Sequence, residues 1–193
     1  KISDELLYDS VFDLESYMAN EFARRIGVKE EEAFLIGDGT GKPIGIFQTV
    51  TEGATSGGAT ITFDDVMDLY HSLKSPYRKN AVWILNDSTV KALRKLKDNN
   101  GNYIWQPSVQ AGVPDMILNR PYFTSSFVPT IDTGKKVLAF GDFSYYWIAD
   151  RQGRSFKRLN ELYAESGQVG FLASQRVDGK LILNEAVKVL TMK

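Results

Sequence analysis

No cysteine occurs among the 193 residues, which removes disulfides, thiolate nucleophiles and zinc-thiolate sites together. A single histidine, His71, removes most histidine chemistry as well. Long apolar runs are also missing. None approaches the roughly 20 residues of a membrane-spanning helix, and the opening KISDELLYDS carries no secretory hydrophobic segment. Nor does charge of one sign dominate. With 23 Lys and Arg against 24 Asp and Glu, the formal net charge is −1, so no global field draws the chain onto nucleic acid. What is present is the ordinary make-up of a globular protein, 43% hydrophobic and 24% charged. A chain of this length builds one large domain or two small lobes and buries about 70% of its unfolded surface. It opens on Lys1 without an initiator methionine, and is therefore expected to be a cut or trimmed chain.

The most informative stretch runs from Asp9 to Ile46, DSVFDLESYMANEFARRIGVKEEEAFLIGDGTGKPIGI. Ser10 is a candidate N-cap, with Asp13 three residues on as an acidic form of the capping box. Leu14, Met18, Phe22 and Ile26 then recur at spacings of four, an apolar stripe of helical period. Gly27 and Val28 weaken the middle, the glycine by about 1 kcal/mol against alanine, but Lys29-Glu-Glu-Glu-Ala33 resumes the pattern, so continuation with a kink is expected. Gly37 supplies the stop. One helix over 10–36 would be about 40 Å long, in a chain whose radius of gyration as a compact domain is about 16 Å. That geometry suits a strut better than a pocket.

Residues 37–60 are rich in glycine, threonine and serine and read as a loop at a lobe boundary, with TEGATSGGAT a mobile excursion. Thr62-Phe-Asp-Asp65 opens a second helix with Val66, Leu69, Tyr70 and Leu73 on one face, ending before Pro76. AVWIL, residues 81–85, reads as a buried strand. Asp87 or Ser88 caps a third helix with Val90, Leu93 and Leu96 inward and Lys91, Arg94, Lys95 and Lys97 outward. KDNNGNYIW is a turn into a short strand. After Pro107 the character changes to strands broken by turns at Asp132-Thr-Gly134, Arg151-Gln-Gly153 and Asp178-Gly179. Helices first and strands later predict an α+β fold.

Candidate chemistry is sparse. Gly37-Asp-Gly-Thr-Gly-Lys42-Pro43 has the glycines and lysine of a phosphate cradle. However, Ile36 stands at the outer glycine position, Pro43 replaces the hydroxyl residue, and a helix rather than a strand precedes it. A structural turn is the better reading; a phosphate- or nucleotide-binding enzyme using Gly37–Lys42 is kept as the alternative. Glu30, Glu31 and Glu32 point about 100° apart on a helix, cannot share one metal or proton, and read as a solvated face. Asp64, Asp65 and Asp68 sit at a helix start, where negative charge is favourable. Asp64 and Asp68 lack a third ligand. His71 has no G-x-S-x-G partner anywhere in the chain. The Lys91, Arg94, Lys95, Lys97 face reads as solvated, with phosphate contact as the sharper option. Tyr145, Tyr146 and Trp147, consecutive in a predicted strand, must point to both of its faces, which asks for apolar cover by the core or by a neighbouring subunit. The sequence therefore offers no catalytic, cofactor-binding or metal-ligating residues.

Several of these segments resemble a known family. EEEAFLIGDGTGKPIGI is similar to the end of the spine helix and the following loop of tailed-phage major capsid proteins of the Hong Kong-97 type. WILNDSTVKALRKLKDNNGNYIW, PDMILNRPYFTSSFVP and AFGDFSYYWIADRQG resemble three further segments of that family in the same order. The resemblance covers about residues 3 to 192. It implies an α+β HK97-like capsid fold in which 1–47 and 141–183, with spine helix 10–36, form a peripheral lobe, and 48–140 and 184–193 form an axial lobe.

The function so implied is a structural major capsid protein of a tailed phage or prophage, without enzymatic activity or cofactor. It would assemble with itself as hexamers and pentamers into an icosahedral shell around dsDNA, which it contacts non-specifically. Scaffold, protease and portal proteins are further implied partners, and no membrane is. The implied location is the virion capsid, with assembly in the bacterial host cytoplasm. An encapsulin-like compartment shell, enclosing cargo protein, is the alternative within the fold. The family's N-terminal arm and extended loop have no counterpart here, so the chain alone is expected to be monomeric or weakly associating. Some members crosslink a loop lysine to an asparagine assisted by a glutamate. The latter two positions fall near Gly167 and Ser174, with Glu165 close by, and no self-crosslinking is expected.

Overall fold

The computed structural model describes residues 1–51, 53–105 and 115–193, with every side chain among them except that of Gln152. Pro107 and Pro114 lie outside the described residues. In chain order the elements are β1 (Ile2–Ser3), α1 (Asp4–Asp9), α2 (Leu14–Ile36), α3 (Ile46–Thr49), β2 (Gly53–Thr55), α4 (Phe63–Ser72), α5 (Ser75–Arg78), β3 (Val82–Leu85), α6 (Asp87–Arg94), β4 (Met116–Ile117), β5 (Arg120–Thr124), β6 (Lys136–Gly141), β7 (Tyr146–Leu159), β8 (Gln168–Leu181) and β9 (Val187–Thr191). They form two compact units, one of Lys1–Glu32 with Ile148–Asp178 and one of Ala33–Trp147 with Gly179–Lys193.

The first unit holds most of α2 and a three-stranded sheet in the order β1-β8-β7. Its α2 begins later than expected. Ser10 is extended (φ −71°, ψ 128°) and closes α1. The cap of α2 is Asp13, whose carboxylate accepts from the Ser16 N–H at 3.0 Å and the Ser16 hydroxyl at 2.6 Å. Both residues are capping types, and the one directly before the helix takes the orphaned N–H groups. From Leu14 the 23 residues run unbroken through Gly27 to Ile36, about 34 Å at 1.5 Å per residue. Against this helix lies the hairpin of β7 and β8. Phe22 meets Phe156 with ring centroids 5.9 Å apart, and Phe156 stacks on Phe171 at 5.7 Å. Arg154 pairs with Glu30 at 3.0 Å, and Arg158 pairs with Glu15. The only hydrophobic side chain buried in this unit, among the described residues, is Val169.

Turns expected at Arg151-Gln-Gly153 and Asp178-Gly179 are absent, because β7 and β8 run straight through both. Gly179 serves close packing instead. A Cβ there would stand 2.7 Å from the Tyr146 hydroxyl and 3.1 Å from the Phe34 ring.

The second unit is built on a six-stranded mixed sheet, β2-β9-β6-β3-β5-β4. The excursion expected at 51–60 is in part its edge strand. Gly53–Thr55 pairs parallel with Val189–Thr191, and a Cβ on Gly53 would fall 1.8 Å from the Val189 carbonyl oxygen. Only glycine allows that approach. On the sheet, α4 starts with a full capping box between Thr62 and Asp65 and buries Val66 and Leu69, with Leu73 buried just past its end. The cap of α6 is Asn86, whose side chain accepts from the Ser88 N–H, rather than Asp87 or Ser88. Trp83 of β3 is fully buried, stacks on Phe140 at 4.0 Å, and donates its indole N–H to the Ile117 carbonyl at 2.9 Å. One apolar cluster gathers Trp83, Phe140, Leu69, Leu73, Leu93 and Leu190. A second gathers Leu35, Phe47, Val50, Leu181, Val187 and Val189.

Candidate assembly surface

The glycine loop after α2 folds as a closed structural turn. Gly45 N–H donates to the Gly37 carbonyl at 2.8 Å, and Asp38 bridges to Ile44. Gly39 and Gly41 have φ of 80° and 67°, where glycine is needed. Lys42 pairs with Asp38 at 3.4 Å. The Thr40 N–H, then Lys42, hold the Asp38 carboxyl below its usual range. A carboxylate engaged with the loop's only lysine opposes a phosphate.

The remaining candidates disperse. Glu30 is not solvated but faces Arg154, while Glu32 takes Lys29 at 2.7 Å. Asp65 is buried and accepts from the backbone N–H groups of Gly57 and Thr62. Among the described residues no three His, Asp or Glu side chains gather into a metal site, and no helix is long and apolar enough to cross a membrane. His71 is exposed, its ring edge-on to Tyr70 at 5.2 Å. The basic face divides. Lys91 and Lys95 are exposed. Arg94 turns toward Asp115, donates to the Tyr122 hydroxyl at 3.1 Å and lies over the Trp105 ring at 5.1 Å. Tyr145 and Tyr146 join the second cluster, and the Tyr146 hydroxyl donates to the Ile44 carbonyl at 3.0 Å; Trp147 is left exposed.

Two polar anchors had no signal in the sequence because their partners lie far along the chain. Lys136 donates to the carbonyls of Phe47 and Val50 at 2.8 and 2.7 Å, satisfying the end of α3, and burial pushes its ammonium below the usual lysine range. Glu185 accepts from the Tyr77 phenol at 2.5 Å and pairs with Lys74. Its carboxylate lifts the Tyr77 phenol to about 12, and Lys74 followed by Tyr77 lowers Glu185.

What the first unit displays is apolar surface. Leu6, Tyr8, Val11, Phe12, Tyr17, Leu162 and Leu172 are all exposed, with Tyr8 at 82%, Val11 at 96% and Phe12 at 79%. A 63-residue body with one buried hydrophobic side chain and this display is shaped to be covered by another protein surface. Comparison with known proteins agrees. The profile of the phage capsid family matches residues 1–192.

The chain belongs to the phage capsid family.

Among solved capsids, that of the native GTA particle is 34% identical with a TM-score of 0.88, covering 99% of this chain and 69% of that one. A structure from Microbacterium phage Oxtober96 is 17% identical with a TM-score of 0.75, covering 100% of this chain and 70% of that one. The holo-SrpI encapsulin complex of Synechococcus elongatus PCC 7942 is 14% identical with a TM-score of 0.73, covering 98% and 70%. The last two share the fold alone. No curated protein sequence matches. The α+β fold is thus the HK97-like capsid fold, and the family match over the whole chain supports a phage capsid over a compartment shell.

Proposed function

We propose that this capsid-family chain is a major capsid subunit that forms hexamers and pentamers closing into an icosahedral shell around dsDNA, and that it performs no catalysis. The observation that carries this reading is the first unit's exposed apolar surface over a nearly absent core. Subunits of a closed shell gain from their neighbours the burial they lack alone. The near-zero net charge fits a wall that encloses DNA without gripping it through many counterion-releasing contacts. In this reading 1–47 and 141–183 act as the peripheral lobe, and 48–140 and 184–193 as the axial lobe. Scaffold, protease and portal proteins act on the assembling shell in the host cytoplasm, and the finished product resides in the virion.

No self-crosslink forms, because Gly167 has no side chain and Ser174 offers a hydroxyl where an amide or a carboxylate is needed. Electron microscopy of the full-length gene product tests the proposal. Spherical shells are expected, running as single subunits on denaturing gels. Persistently unassembled protein, or ladders of covalent oligomers, would refute the corresponding part.

A further inference from the structure

The segment Asp4–Asp13 combines Asp4, Glu5, Asp9 and Asp13 with the exposed Leu6, Tyr8, Val11 and Phe12, and contains no basic residue. Asp13 is occupied in capping α2. Asp4, Glu5 and Asp9 form no ion pair with a described side chain. The surface this segment fits must be basic and partly apolar.

The same unit carries such a surface. Arg154, Phe156 and Arg158 of β7 turn toward α2, as do Phe171 and, through Arg154, Gln175 of β8. Strand alternation then puts Ser155 and Lys157, and Leu172, Ser174 and Arg176, on the opposite face. The 2.7 Å contact between the Ser155 and Ser174 hydroxyls marks that face directly. Lys157 and Arg176 are exposed and form no ion pair among the described residues, and Leu172 on the same face is 50% exposed. Asp178, further along β8, is the carboxylate on this side. The second unit has an exposed basic strip too, at Lys91 and Lys95, but its apolar clusters are already closed. The first unit has the smaller core of the two, and a contact joining its own two open surfaces covers both.

We infer that the acidic, apolar segment Asp4–Phe12 of one copy docks on the outer face of the β7–β8 hairpin, at Lys157, Leu172 and Arg176, of a second copy. This rests on the capsid reading and adds the residues of one contact to it. Segment and hairpin are different surfaces, so the contact can repeat head-to-tail from copy to copy. A head-to-tail contact whose rotation closes makes a ring, the arrangement that hexamers and pentamers require.

The test uses the present chain at graded concentrations in low salt, followed by sedimentation velocity. The wild type is expected to self-associate weakly, and Val11→Ser/Phe12→Ser to weaken association at least tenfold. These two side chains are so exposed that the thermal midpoint of the monomer should not move. Lys157→Glu/Arg176→Glu is expected to weaken association similarly. Mixing it with Asp4→Lys/Glu5→Lys/Asp9→Lys should give hetero-association stronger than either variant shows alone. A wild type that never associates, a serine variant that associates like the wild type, or a mixture without recovery would overturn the inference. The shells sought by electron microscopy of the full-length product decide the capsid reading separately.

Discussion

The two units of this chain solve the problem of burial in opposite ways. The second packs Trp83, Phe140 and six leucines into one cluster at a six-stranded sheet, and closes a second cluster around Phe47 and Val189. The first lays a helix along a hairpin, ties them with two arginine–glutamate pairs and a chain of phenylalanines, and among its described hydrophobic side chains buries only Val169. Exposed ion pairs contribute little, typically 0–1 kcal/mol each, so the first unit has no substitute for the missing core. The difference teaches that the second unit carries a core of its own, while the first leaves nearly all of its apolar side chains within reach of another surface.

Three experiments break or sharpen that contrast. Trp83→Ala should have the largest effect. It removes a fully buried ring and its indole hydrogen bond to the Ile117 carbonyl, at a cost of about 3–5 kcal/mol, read as a fall in the denaturation midpoint. A loss under about 1 kcal/mol would mean that the second unit is not the stable one. Phe22→Ala, its counterpart in the first unit, removes a half-buried ring whose contact is Phe156. The expected cost is about 1 kcal/mol, with amide exchange faster in α2 than in β3 and β6 before and after substitution. Equal protection in both units would erase the comparison.

The smallest effect concerns the rim of the second unit. The Tyr77 phenol should titrate near 12 by ultraviolet absorbance, and Glu185→Gln should return it toward 10. Since its folded value is raised, the contribution of this neutral phenol is fully present below about pH 10. It is lost as pH rises through 12. An unmoved titration in the variant would show that the Glu185 contact does not persist in solution.

How much of this was legible in the sequence follows from how local each signal is. The helix start at Thr62–Asp65, the AVWIL strand and the Gly134 turn are written in neighbouring residues and stand as expected. Glycine misled where its role was close approach rather than turning. Gly53 admits the Val189 backbone and Gly179 admits Tyr146 and Phe34, and both read locally as loop. Ser10 and Asp13 compete as caps, and only the geometry chooses between them. Arg94 shares the spacing of its solvated neighbours, yet its partners Asp115 and Tyr122 lie 21 and 28 residues away. The same limit holds at the assembly surface. The acidic, apolar Asp4–Phe12 was readable as composition, but the depth of its exposure was not.

One consequence follows from the position of β7 at the margin of its sheet. A strand of 14 residues with an open row of backbone donors and acceptors invites identical strands to zip onto it, as in fibrils. Asp150, Arg151, Arg154, Lys157 and Arg158 break up this one with charge. Freshly synthesised chains can thereby crowd together without precipitating as stacked ribbons, so that association is left to surfaces with a defined geometry.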